Sequence, residues 1–128
     1  MPWVFRTYQR ASGRDDVRKW YEDLARRDRV TVLSTLQYLR DQPREKWARP
    51  LGFAPLHGLD GMGEFLFKFG GVQNRLMGFF GPYRMSYTIL LPVLKKGRSF
   101  DPREWEETAL RRKAEVESDS GCTHVWLS

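Results

Sequence analysis

The sequence predicts one α+β domain, because helix-like and strand-like patterns of apolar residues occupy different parts of the chain. Between residues 12 and 42, apolar side chains recur at the three- and four-residue spacing of amphipathic helices. Between residues 64 and 93 they alternate with period two, which indicates strands. A chain of 128 residues, 41% of them hydrophobic, suffices for one core and rarely for two. Separate runs of helices and antiparallel strands are typical of this class.

The first part of the chain predicts a strand followed by a helix hairpin. Residues 3–8 are rich in β-forming side chains and predict the strand. Ser12 and Asp15 then have the spacing of a helix capping box. One apolar helix face follows at Val17, Trp20, Tyr21 and Leu24, and a second at Val32, Leu33, Leu36 and Leu39 before Pro43.

The second part predicts a three-strand antiparallel meander and a final helix. Phe65, Phe67 and Phe69 form the apolar side of the first strand, which ends at a Gly-Gly turn. Strands over residues 75–80 and 84–93 follow, with Pro92 at a strand end or on an edge. Asp101 begins a helix as N-cap, with Pro102 and Glu104 at its first and third positions, and the helix runs to about residue 116. We expect residues 1–117 to form the domain and residues 118–128 a flexible polar tail.

Positive charge is concentrated in the middle of the chain. The net charge is +6, and residues 43–100 hold nine basic and three acidic side chains. Lys68 and Arg75 are each expected to project from the side of the sheet opposite the aromatic face. Lys95 and Lys96 lie where the last strand ends. We expect these cations to converge on one concavity that binds a polyanion.

Other candidate groups are fewer. Cys122 is the single cysteine, so no intrachain disulfide is possible, and with His124 and His57 it offers too few ligands for a zinc site. The N-terminus has no signal-peptide core and no run reaches membrane-spanning length, so we expect a soluble, cytoplasmic protein. Stacking on a base is one interpretation of Tyr83 and Tyr87, but core packing or a solvated surface ring is favoured for each.

Several short motifs, in order, resemble the RelE/ParE superfamily of toxins, most closely its HigB branch with phage-derived members. The motifs are PLHGL at 55–59, GEFLFK at 63–68, NRL at 74–76 and LKK at 94–96, with Pro102 and Ala109 in the last helix. With the helix hairpin, the likeness covers residues 4–116. It implies a small RelE-like fold, with an N-terminal strand and helix hairpin packed on an antiparallel sheet and a C-terminal helix.

The resemblance implies the toxin of a type II toxin–antitoxin system, a ribosome-dependent mRNA endoribonuclease (mRNA interferase). Such enzymes need no metal or cofactor: a 2′-hydroxyl attacks the adjacent phosphate, leaving a 2′,3′-cyclic phosphate and a 5′-hydroxyl. The implied partners are a cognate antitoxin, mRNA and the 70S ribosome, with no membrane. Arg75 matches a family arginine, and Lys95 and Lys96 match a lysine pair.

The site implied by this match has catalytic and RNA-binding parts. Arg75 and Lys68 are expected to stabilise the phosphate, while Lys95 or Lys96 holds the backbone or assists proton transfer. The remaining RNA contacts are assigned to Arg84, Arg98 and Tyr83. Three departures from the family matter. Lys68 replaces an arginine, and Asn74 replaces an aromatic residue. Many members also have a His or Tyr near the C-terminus as acid or base, whereas His124 lies too far beyond the last helix to be matched to it.

Two alternatives stay open at this point. The ParE branch shares the fold and is associated with inhibition of DNA gyrase rather than with RNA cleavage. A degenerate toxin would bind its antitoxin or RNA without cutting, and the substitutions at Lys68 and Asn74 keep that alternative open.

Overall fold

A computed structural model describes residues 2–127, and Met1 and Ser128, which the predicted domain and tail include, lie outside the described residues. Three helices and one seven-stranded sheet confirm the α+β class. The elements in chain order are β1 (Val4–Tyr8), α1 (Asp16–Glu22), α2 (Arg26–Arg40), β2 (Phe53–Pro55), β3 (Met62–Phe69), β4 (Val72–Phe80), β5 (Ser86–Lys96), β6 (Ser99–Asp101), α3 (Trp105–Ser118) and β7 (Thr123–Leu127). No described helix is long and apolar enough to cross a membrane.

The sheet is built around the predicted meander of β3, β4 and β5. Its order is β2-β3-β4-β5-β1-β7, and β6 pairs with the free part of β5. All described pairings are antiparallel except that of β1 with β5. The parallel pairing is possible because α1, α2, β2, β3 and β4 separate these two strands along the chain, which allows a crossover connection.

Pro92 lies inside β5, at a gap in the edge of that strand. β1 pairs with residues 86–89 of β5, and β6 pairs with residues 94–96. Proline has no N–H to donate to a ladder. No bond is lost on this edge, because Pro92 lies between the residues that pair with β1 and those that pair with β6. The prediction of an edge position holds locally, although Pro92 is not at the end of its strand.

Both sides of the sheet are covered, each by its own core. On one side α1 and α2 pack through Val17, Val32, Leu36 and Leu39 against strand residues that include Phe5, Phe65 and Tyr87, with Trp47 among them. On the other side α3 packs through Ala109 and Val116 against Met77, Leu91 and Val93. The phenylalanines of β3 belong to the first core, as predicted: Phe65 and Phe67 are buried and Phe69 is partly buried.

Two helix starts differ from prediction. Asp15, not Ser12, caps α1: its carboxylate accepts the Arg18 N–H at 2.9 Å. Asp101 does not cap α3, because it pairs with Leu94 as the last residue of the edge strand β6. The helix therefore begins at Trp105.

The prediction of a flexible tail is wrong. Residues 123–127 form β7, which pairs antiparallel with β1 and lies at the end of the sheet order. Trp126 and Leu127 pack against the first core. Backbone pairing with β1 and the contacts of Trp126 and Leu127 hold this segment in the sheet, although Thr123 is its one buried residue among those described.

Candidate functional site: a cationic sheet face

The register of β3, β4 and β5 places three predicted cations on the same side of the sheet. Gln73 of β4 lies between Lys68 of β3 and Lys95 of β5. Arg75, two residues further along β4, lies between Leu66 and Val93. Directly paired residues point to the same side of a sheet, and residues two apart on a strand share that side. We call Glu64, Lys68, Gln73, Arg75, Lys95 and Phe100 the cationic face.

A carboxylate lies at one end of this face, where Glu64 of β3 pairs with Met77 of β4. The Arg75 Nη1 donates to Glu64 Oε1 and Oε2, each at 3.3 Å. The Glu64 side chain is 7% exposed and that of Arg75 is 21% exposed, so the pair is largely withdrawn from solvent. A buried carboxylate held by a guanidinium has a fixed position and unused lone pairs.

Gln73 holds the same guanidinium from the other side. Its Oε1 accepts from Arg75 Nη2 at 2.8 Å and from Nε at 3.3 Å. Sequence reasoning missed Glu64 and Gln73 as site residues. The signal was available, since both have the strand parity of Lys68 and Arg75.

Arg75 and Lys95 converge on one aromatic ring, that of Phe100. In β6 this residue pairs with Lys95 and so lies on the same side of the sheet. The Phe100 centroid is 5.8 Å from Arg75 Cζ and 5.1 Å from Lys95 Nζ. Trp105, the first residue of α3, lies beside it with the ring centroids 6.2 Å apart. Arg75 and Lys95 thus lie near each other, and their convergence on a concavity that binds a polyanion stays a prediction.

Lys68 belongs to the face, whereas Lys96 does not. Lys68 is exposed and has no ion-pair partner within the described chain. Lys96 follows Lys95 directly in β5, and successive strand residues point to opposite sides. Arg98 is exposed in the tight turn between β5 and β6, close to the end of the face but outside it.

Arg84 and Tyr83 lie at the opposite end of the sheet. They occupy the β4–β5 connection, about 25 Å from Lys95 at roughly 3.3 Å per strand residue. The Tyr83 hydroxyl donates to Ser120 Oγ at 2.6 Å, and Arg6 Cζ lies 4.9 Å from the Tyr83 ring centroid. Tyr87 is fully buried in the first core, so it is not available to stack on a base.

The histidines and the cysteine lie outside the cationic face. His124 Nε2 is 2.7 Å from Asp15 Oδ2, a polar contact that joins β7 to the start of α1. His57 is exposed in the loop before β3 and lines a cavity of about 900 Å³ with Arg44 and Trp47. Burial, and then the charge of Glu115, raise the pKa of the Cys122 thiol. Within residues 2–127, no group of three His, Cys, Asp or Glu side chains could hold a metal ion.

Fold and site together define a small α+β domain with a group of cations on one side of its sheet, beside the second core, and a buried carboxylate among them. Comparison with protein-family models, with curated proteins and with solved structures gave no match to the chain. The geometry of the cationic face and the motifs in the sequence are therefore the observations that bear on function.

Proposed function

We propose that the protein is a metal-independent endoribonuclease, the mRNA-cutting toxin of a type II toxin–antitoxin system of the RelE/HigB kind. One observation carries the proposal: the Glu64 carboxylate lies 3.3 Å from the Arg75 guanidinium, on a sheet face that also bears Lys68 and Lys95. A proton acceptor and several fixed cations are the groups that RNA cleavage by its own 2′-hydroxyl requires.

In the proposed reaction, Glu64 accepts the proton of the 2′-hydroxyl as that oxygen attacks the neighbouring phosphorus. Arg75, with Lys95 and Lys68, offsets the negative charge that builds on the phosphorane oxygens. The bond to the 5′-oxygen breaks, and the Lys95 ammonium supplies the proton that this oxygen takes up. The products are a 2′,3′-cyclic phosphate and a 5′-hydroxyl. Gln73 acts as a positioning residue, because its bonds to Nε and Nη2 orient the guanidinium.

The partners follow from the same proposal. The substrate is mRNA on the ribosome, which places the activity in the cytoplasm. An antitoxin with acidic side chains complements the positive segment of residues 43–100 and covers the cationic face. No metal or other cofactor takes part in the proposed steps.

The test is induction of the wild type and of Arg75→Ala in bacteria, with transcript ends mapped for new 5′-hydroxyl termini. We expect cuts within translated regions for the wild type and none for Arg75→Ala. Arg26→Ala is the matched control, since Arg26 is exposed at the start of α2 on the opposite side of the sheet. This control should cut like the wild type.

Removing Arg75 leaves the buried Glu64 carboxylate without its cation, which destabilises the fold. Lys95→Ala avoids that problem, because the Lys95 ammonium makes no hydrogen bond or ion pair within residues 2–127. Loss of cuts in Lys95→Ala with an unchanged melting temperature supports the proposal. Growth arrest without cuts indicates gyrase inhibition instead. The absence of both growth arrest and cuts indicates a degenerate toxin. Either of these results contradicts the proposed cleavage.

A further inference from the structure

Phe100 combines features that the proposed chemistry does not yet use. It is the middle residue of β6, between the exposed Ser99 and Asp101, and its own side chain is partly exposed. Pairing with Lys95 directs the ring to the side of the sheet that bears Arg75. A large aromatic ring thus lies at the rim of the cationic face.

The ring is surrounded by groups suited to a nucleotide. Arg75 Cζ and Lys95 Nζ lie 5.8 and 5.1 Å from its centroid, so two phosphate-binding cations adjoin it. Trp105, also partly exposed, supports it at a centroid distance of 6.2 Å and an interplanar angle of 46°. Both rings pack against the second core in part, which restricts their orientation.

Aromatic rings interleaved with cations are typical of proteins that bind unpaired nucleic acid. The cations follow the phosphates, and a base stacks on the ring with little regard to sequence. A base within a duplex is already stacked on its neighbours and does not present its face to a side chain. An aromatic subsite beside the phosphate-binding groups therefore selects single strands.

We propose that Phe100, supported by Trp105, stacks the nucleobase next to the phosphate held by Arg75 and Lys95. The inference rests on the proposed nuclease function and adds a base-binding subsite to it. Phe100 is thus a substrate-binding residue, distinct from the groups that move protons or offset charge.

The experiment uses the purified full chain and a short single-stranded RNA that carries 2-aminopurine and 2′-O-methyl groups, which block cleavage. Stacking on an aromatic ring quenches 2-aminopurine fluorescence, and anisotropy reports affinity. We expect quenching by the wild type and by Phe100→Tyr, which keeps an aromatic ring. For Phe100→Leu, which keeps an apolar side chain, we expect weaker quenching and about tenfold weaker binding. The same RNA annealed to its complement should bind more weakly and show no change in quenching.

The outcomes separate this inference from the proposed function. If Phe100→Leu has the melting temperature of the wild type and still binds and quenches like it, the stacking subsite is wrong. In that case cuts that depend on Arg75 in cells leave the nuclease proposal intact. If the wild type shows no salt-sensitive binding to single-stranded RNA, both proposals are overturned. Trp105→Leu is a second variant, with a smaller loss of quenching expected than for Phe100→Leu.

Discussion

At the scale of single residues, the Glu64–Arg75 pair differs from an ordinary surface ion pair. Exposed pairs of this kind contribute little because water and salt screen them, whereas Glu64 is 7% exposed. A guanidinium has five N–H donors. The bonds to Glu64 and Gln73 engage Nε, Nη1 and Nη2, and at least one Nη2 hydrogen has no partner within residues 2–127. Arg75 is therefore oriented by its neighbours while it keeps a donor for phosphate.

Replacement of Glu64 by glutamine tests whether this carboxylate accepts the proton. The amide keeps the size and one oxygen of the side chain but is not a base at neutral pH. We expect cleavage of mRNA on purified ribosomes to fall by about 10²–10⁴-fold. Binding of uncleavable single-stranded RNA should be unchanged or tighter, because a negative charge near the phosphate is gone.

Glu45→Gln is the control for this variant, since Glu45 is exposed on a short 3-10 turn away from the cationic face. It should cleave like the wild type. Wild-type cleavage by Glu64→Gln contradicts the role of Glu64 as the base.

Part of this site could be predicted from strand parity, and part could not. Alternation correctly placed Lys68 and Arg75 on one side, whereas it should have separated Lys95 from Lys96. Glu64 and Gln73 share the parity of the cations, but their approach to Arg75 depends on the register of β3 and β4. Register is set by the packing of both sides of the sheet, which no single strand reveals.

At the scale of elements, a buried ion pair joins α1 to α3. The Arg112 side chain is 7% exposed, and its Nη2 lies 2.9 Å from Asp16 Oδ2. Its Nη1 donates to the Leu90 carbonyl oxygen at 2.8 Å, within the gap in the edge of β5. Arg10 and Arg14 also bind Asp16, each at 2.9 Å. The two helices on opposite sides of the sheet are thus connected through one carboxylate.

This connection should make the fold sensitive to acid. Burial acts to raise the pKa of Asp16, but the Arg10 hydrogen bond and the Arg112 charge outweigh it, so the pKa is lowered from its ordinary value of 3.8. A lowered pKa in the folded state stabilises the fold above 3.8, and that stability is lost as the pH falls through the folded value. The free energy of unfolding of the wild type, measured with urea, should therefore decrease as the pH falls below about 4.

Asp16→Asn removes the charge and tests this account. At neutral pH we expect a loss of about 3–5 kcal/mol in the free energy of unfolding, because Arg112 is left without its counter-ion. The remaining stability should change less with acid than that of the wild type. Asp23→Asn is the control, since Asp23 makes an exposed pair with Lys19 and should behave like the wild type. Equal acid dependence of Asp16→Asn and the wild type contradicts the assignment.

The long elements could be predicted from the sequence, and the short ones could not. Periodicity located α2 and the meander, since each has enough residues to show a repeat. The strands β2 and β6 have three residues each, too few for alternation to be visible. Asp101 has the local features of a helix cap, but its pairing with β5 is a tertiary contact that overrides them.

At the scale of the whole molecule, β7 adds residues 123–127 to the sheet and packs Trp126 and Leu127 against the first core. Trp126 packs on the first core, and its ring centroid is 5.4 Å from that of Tyr21. We expect Trp126→Ala to lower the free energy of unfolding by about 2 kcal/mol, less than for a fully buried ring. Val125, on the same strand, is 46% exposed, and Val125→Ala should change stability by less than about 0.5 kcal/mol. Urea unfolding measures both, and equal stabilities of the two variants and the wild type contradict this role of β7.

The position of β1 also determines when the sheet can be completed. This strand is synthesised before both of its neighbours, of which one begins at Ser86 and the other ends at Leu127. Backbone groups inside a sheet need both neighbours to complete their hydrogen bonds. Residues 4–8 lack β7 until residues 123–127 have been synthesised, so the sheet is completed only after translation has passed Leu127. For a protein with the proposed activity, this order delays completion of the sheet that bears the cationic face until that point in translation.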